Sequence, residues 1–200
     1  MKNDLMLLVG QDEKILYEGR PDRTCFIFES ILNPMLPFAL VWALIDLFMF
    51  SRGAAKSTFL LGFFLIHMTP VWLYLSGVIF SFRKYNNIYY IVTDRAIYVS
   101  GGIFSRSYNR KPFAELAHIH LHRGVFDQYF NVGDVIATSG QFTPGKSSAA
   151  IRIDSIADYA DVYKLVKKLQ EDIYTDIMYP NAKRPSENPG YKTEYTGLDE

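Results

Sequence analysis

Residues 89–140 read YYIVTDRAIYVSGGIFSRSYNRKPFAELAHIHLHRGVFDQYFNVGDVIATSG, and their period is that of β-structure, short apolar runs bounded by turn residues. Ile88–Val92 and Ala96–Val99 flank Thr93-Asp94-Arg95, which reads as a tight turn. Gly101-Gly102 turns the chain into a run around Phe104–Lys111. A further strand covers about Leu116–His122, with Leu116, Ile119 and Leu121 as its apolar members. Asn131-Val132-Gly133 reads as a turn before Asp134–Thr138, and Ala150–Ile153 gives one more strand. From Ile156 the period becomes helical, with Val162, Leu165, Val166, Leu169 and Ile173 on one stripe. Ser155 and Asp158 have the spacing of a capping box at the start of that helix. Six or seven antiparallel strands and one amphipathic helix predict a small barrel or bent sandwich that the helix closes. Residues 179–200, polar and broken by proline and glycine, are expected to be disordered.

On the N-terminal side the period changes again. Phe26–Phe50 reads FIFESILNPMLPFALVWALIDLFMF; after the polar break Ser51–Lys56, Thr58–Phe82 reads TFLLGFFLIHMTPVWLYLSGVIFSF. As a helix either stretch would reach roughly 36 Å, enough for a hydrocarbon core of about 30 Å. Buried helices of a soluble protein usually carry a polar stripe, whereas the second stretch has no ionisable residue but His67. The expectation is a transmembrane hairpin over 26–82, kinked at Pro34, Pro37 and Pro70. Glu29 and Asp46 fall toward the ends of the first stretch, where a carboxylate reaches the headgroups. Asp46 and His67 invite reading as a proton relay, but a hairpin folded about Gly53–Ala54 would set His67 roughly 9 Å deeper than Asp46. Arg20, Arg23, Arg83 and Lys84 outside the hairpin, against Arg52 and Lys56 in its loop, predict that both termini are cytoplasmic. The first ten residues, MKNDLMLLVG, do not predict a secretory signal peptide. Cys25 is the only cysteine, so neither an intramolecular disulfide nor a cysteine-built zinc site is expected. At the membrane interface Cys25 is a lipidation candidate or, more simply, a small buried hydrophobe.

The stretch 89–140 resembles the bacterial pleckstrin-homology domain of YdbS-like membrane proteins. The resemblance rests on Thr93-Asp94-Arg95, on Gly101-Gly102 with the following Ser105-Arg106, and above all on Phe130-Asn131-Val132-Gly133-Asp134-Val135. IRIDSIADYADVYKLV, from Ile151, resembles the family's last strand and the start of its closing helix, and DEKILYEGRP, at Asp12–Pro21, resembles the segment before the hairpin. The resemblance implies a pleckstrin-homology-like barrel, a cytoplasmic domain and a binding role, without catalytic residues. The expected organisation is a cytoplasmic segment 1–25, the hairpin 26–82, the pleckstrin-homology-like domain 83–178 and the tail 179–200. Asp12–Gly19 is a candidate edge strand for that domain.

The chemistry of the remaining motifs decides between binding and catalysis. Gly140–Ser147, GQFTPGKS, fits the P-loop pattern letter for letter. A P-loop needs a helix next to supply amides to the phosphates, and SSAAIRID instead alternates as a strand, so a hairpin loop is expected. His118, His120 and His122 alternate along one strand and share a face, a spacing that suits zinc, copper or nickel. No carboxylate close in sequence completes that set, and a solvent face beside Ile119 and Leu121 is the simpler reading. No nucleophile elbow, HExxH helix or dinucleotide loop is present, and no cofactor or enzyme activity is expected. The balance of 21 basic and 21 acidic residues leaves no basic footprint for nucleic acid. Arg95, Arg106, Arg110, Arg123 and Lys146 are candidate contacts to lipid headgroups, Arg106 and Arg110 sharing a face with Tyr108 between them. The function expected is a membrane-anchored binding or scaffolding module acting on lipids, on a membrane or cytoplasmic protein, or on a second copy as a homo-oligomer. The alternative is a transport or channel accessory that uses the kinked hairpin.

Overall fold

The structure, a computed structural model, describes residues 2–52, 58–139 and 150–178. The elements run α1 (Lys2–Met6), β1 (Ile15–Gly19), α2 (Arg23–Ile31), α3 (Met35–Ser51), α4 (Thr58–His67), α5 (Thr69–Asn87), β2 (Tyr89–Thr93), β3 (Ala96–Gly101) and β4 (Ser107–Pro112). A 3-10 turn at Phe113–Glu115 leads to β5 (Leu116–His122), α6 (Val125–Phe130), β6 (Gly133–Ser139), β7 (Ala150–Ile156) and α7 (Tyr159–Met178).

The strands form two antiparallel sheets, β1-β2-β3-β4 and β5-β6-β7. β1 therefore reaches its sheet from before the helical segment, pairing Tyr17 with Val92 and Gly19 with Tyr90. Helices α2 to α5 are an insertion between the first two strands of one sheet. The expected closed barrel is corrected to an open two-sheet sandwich. The corner between β1 and β7 shows why. After Gly19 the chain meets Pro21, which has no N–H to extend a ladder, and α2 begins at Arg23. One bond, Asp22 N–H to Ser155 O at 2.6 Å, joins the two sheets there.

The main core lies between the sheets and under α7, where Val162, Val166 and Leu169 are fully buried against strand residues such as Val92, Ile97, Val135 and Ile153. Tyr90 crosses the sandwich, its hydroxyl donating to Asp154 O (3.3 Å) and accepting from Asp154 N (3.1 Å). A second cluster forms on the outer face of the first sheet, where α1 sets Leu5 on Tyr89, Ile91, Ala96 and Tyr98. β2 is thus buried on both faces, which accounts for its unbroken apolar run. The expected capping box does not form. Ser155 lies in a β-bulge at φ 51° and donates its N–H to Asp134 (2.8 Å), while α7 starts at Tyr159. The tail 179–200 lies outside the described residues.

Each long apolar stretch is broken into two helices. α2 ends at Leu32, α3 starts after Pro34, and the two axes differ by 45°. α4 and α5 meet at Met68, with Pro70 in the first turn of α5. Proline lacks the N–H and clashes with the preceding turn, so such breaks are where its cost is least. No single helix among the described residues is long and apolar enough to cross a membrane; the bent pair α2–α3 meets that test by length and composition when its halves are taken together.

Candidate functional site

Of the five basic candidates, the four among the described residues do not assemble into one patch. Arg106, Tyr108 and Arg110 share the outer face of the β4 region, and the N-terminal segment meets them there. Arg106 pairs with Asp4 at 2.7 Å, and Tyr108 donates to the same carboxylate at 3.3 Å. Arg110 donates to the Tyr98 hydroxyl (2.9 Å), which itself donates to Glu13 (3.0 Å), and Thr93 donates to Glu13 as well (2.7 Å). Burial pushes the Tyr98 hydroxyl above its ordinary range; the Arg110 bond opposes this and Glu13 adds to it. Arg123 lies on the other sheet, over the Tyr159 ring at 4.5 Å, donating to Val132 O (2.8 Å). Arg95 stands exposed in the β2–β3 turn, at the end of β3 away from Gly101. Lys146 and the P-loop-like run 140–147 lie outside the described residues. The strand β7 follows that run and pairs with β6 before it, so its flanks are a strand pair and not a strand and helix.

His118, His120 and His122 lie exposed on β5, an edge strand. Sequence spacing missed the carboxylates near the last of them. Asp134 is opposite His122 in the ladder, 3.7 Å from its Nδ1, and His122, Asp127 and Asp134 come within ligand-sharing distance. Both carboxylates are already engaged. Asp127 accepts Gly124 N–H (2.8 Å) at the start of α6 and the thiol of Cys25 (3.6 Å). Asp134 accepts Ser155 N–H and pairs with Arg152 at 3.1 Å. Burial raises the Asp134 carboxyl above the usual carboxylate range; the Ser155 bond opposes it.

Cys25, 0% exposed, is thus the small buried residue of the two readings, not one open to modification. It belongs to the joint between helices and sheets. Asp22 caps α2 by accepting Cys25 N–H (2.8 Å), Phe28 packs edge-on against Phe126 and Phe130 of α6, and Phe26 against Tyr85 of α5. Around this joint the structure exposes large side chains: Phe104 at 78%, touching Phe80 of α5, and on α6 Val125 at 81% and Tyr129 at 82%. Nothing in the strand pattern signalled α6, whose six residues precede the turn Asn131-Val132-Gly133.

The hairpin corrects the sequence geometry. Asp46 and His67 are level and meet, Nδ1 to Oδ1 at 2.7 Å, because Phe50 lies against Phe64; the expected turn at Gly53–Ala54 lies outside the described residues. The imidazole is stacked between Trp42 (5.0 Å) and Phe63 (5.2 Å), and Trp42 Nε1 donates to His67 O (2.8 Å).

A two-sheet sandwich closed by one helix is a pleckstrin-homology-like architecture, of a kind that suggests a binding or scaffold module. The chain belongs to the bacterial PH domain family, whose family model matches residues 37–170, two-thirds of its length. No curated protein and no solved structure matches the chain.

Proposed function

We propose that the chain is a non-catalytic binding or scaffolding module anchored in the bacterial cell membrane by its helical insertion, with the sandwich and both termini on the cytoplasmic side. The observation that carries this reading is the surface of the insertion. Leu40, Val41, Leu44, Leu47 and Phe48 of α3, Leu65 and Ile66 of α4, and Leu73 and Ile79 of α5 are all exposed, far beyond the apolar patch a soluble monomer shows. The helix breaks fit a bilayer, because indole and hydroxyl groups serve the freed carbonyls. Trp42 donates to His67 O, Trp72 to Leu65 O and Thr69 to Ile66 O. Phe104, Val125 and Tyr129 supply interfacial contacts beside Arg83, Lys84 and Arg106, a mixture suited to headgroups. Arg95, at the far end of β3, is left for a protein partner or a second copy. Impermeant maleimide labelling tests the topology. With Cys25 replaced by serine, Arg52→Cys should react in intact cells and Asp158→Cys only after permeabilisation; the reverse pattern overturns it. The Asp46–His67 pair within the helical insertion favours the transport-accessory reading, and liposomes holding the purified chain that leak ions at a pH-dependent rate would support that reading over this one.

A further inference from the structure

Among the described residues, Asp46 carries the one buried side-chain polar atom without a hydrogen-bond partner, Oδ2. The residue is 2% exposed, and its other oxygen is held by His67. A carboxylate oxygen out of water and without a donor is costly, and Asp46 lines a pocket of about 600 Å³ whose remaining walls are Ala43, Leu47, Phe50, Phe64, Leu65 and Met68. Those side chains offer no donor. The volume lies in the range of small-molecule sites, and one polar group in an apolar wall is how such sites fix orientation.

The neighbours hold the pair in place for a ligand. Trp42 and Phe63 stack on the imidazole, so Nδ1 stays on Oδ1 and Oδ2 is left as the carboxylate's unserved acceptor. Leu65, which also lines the pocket, lies just before the break at Met68. Leu65 O, freed from the helical ladder, accepts one indole N–H from Trp72 at 3.2 Å and keeps a second lone pair.

We propose that this pocket binds a primary ammonium carried on an apolar body, the ammonium on Asp46 and the apolar part along α3 and α4. A charged donor answers a desolvated carboxylate more strongly than a hydroxyl does, and an anion is refused. A free lipophilic amine and the headgroup of an aminophospholipid share this chemistry. The inference rests on the hairpin geometry and stands whichever partner the sandwich engages.

Native mass spectrometry of the full chain in a non-ionic detergent tests it, with dodecylamine as probe and dodecanol and dodecanoate as controls. One dodecylamine should bind per chain and saturate, and neither control should. Asp46→Asn should weaken binding by about tenfold to a hundredfold, as expected for loss of a charged hydrogen bond. Ala43→Phe, which fills the pocket without touching the Asp46–His67 bond, should abolish it, and serves if the asparagine variant does not fold. In nanodiscs, competition by phosphatidylethanolamine but not phosphatidylcholine assigns the site to a lipid headgroup; dodecylamine binding that neither lipid displaces assigns it to a free amine. Equal binding of dodecanol, or binding untouched by both substitutions, overturns the proposal. So does a monomer–dimer shift on Asp46→Asn with no change in amine binding, which would show a second hairpin in the pocket.

Discussion

Glu13 accepts hydrogen bonds from Thr93, Tyr98 and Arg110 while its own side chain is 7% exposed. It lies before β1, in a segment whose sequence shows nothing of the β2–β3 turn it serves. Glu13→Ala would strand the Tyr98 hydroxyl, whereas Thr93 can turn to Ala96 O (3.1 Å) and Arg110 keeps the Tyr98 oxygen. The substitution should cost about 1–3 kcal/mol of unfolding free energy, the usual penalty for a buried group left unserved, measured by urea titration. Asp134 gives a prediction in pH. Its folded-state carboxyl is raised by burial, so its stabilising contribution is complete below the unfolded value of about 3.9 and is lost as pH rises through the higher folded value. Unfolding of Asp134→Asn, followed upward from about pH 4, should show the variant gaining stability relative to the native chain across that window and holding level above it. A difference that stays constant with pH would place the Asp134 carboxyl at its unfolded value. Gly102 was legible as a turn; its φ of 116° and the Ser105 carbonyl oxygen that a Cβ would strike explain why the turn needs glycine there.

At the scale of elements, periodicity was readable wherever one face of an element meets one core. The stripe of α7 is such a case: Val162, Val166 and Leu169 are 0% exposed and Leu165 is half-buried at its margin. Leu169→Ala should cost about 2–5 kcal/mol, the range for a buried leucine truncated to alanine. Lys164→Ala, which gives up only an exposed pair with Asp161, should stay within about 0.5 kcal/mol. Equal losses from the two would mean that α7 does not close the sandwich. Where two environments meet, periodicity misled. β2 is buried on both faces because α1 covers the outer one. Ser155, placed in a capping box by spacing, is taken instead by Asp134 across the β-bulge. α6 is too short to show a period, and its end is fixed by Asn131 at φ 54°, a left-handed position that asparagine tolerates.

At the scale of the molecule, the sandwich and the insertion are tied through α2, so the base of the sandwich is held against the plane in which the hairpin sits. If that plane is a bilayer surface, depth should be readable residue by residue. Nitroxide labels at Phe104→Cys and Tyr129→Cys, in a chain whose Cys25 is replaced by alanine, should be reached by oxygen more than by a water-soluble nickel relaxant. Labels at Arg95→Cys and Asp158→Cys should show the opposite order. The same order at all four positions would detach the sandwich from the membrane. By itself the sequence determined the strands from β2 to β7, the closing helix and the two apolar stretches, because each is written in a local period and bounded by turn residues or proline. Asp12–Gly19 was legible as a candidate edge strand; only the tertiary structure decided that it lies beside β2, that the sheets stay open, and that Asp46 meets His67. Those outcomes depend on register between distant segments. Pro21 at one sheet edge and the packing of Phe50 on Phe64 settle the last two, and neither leaves a mark in any local period.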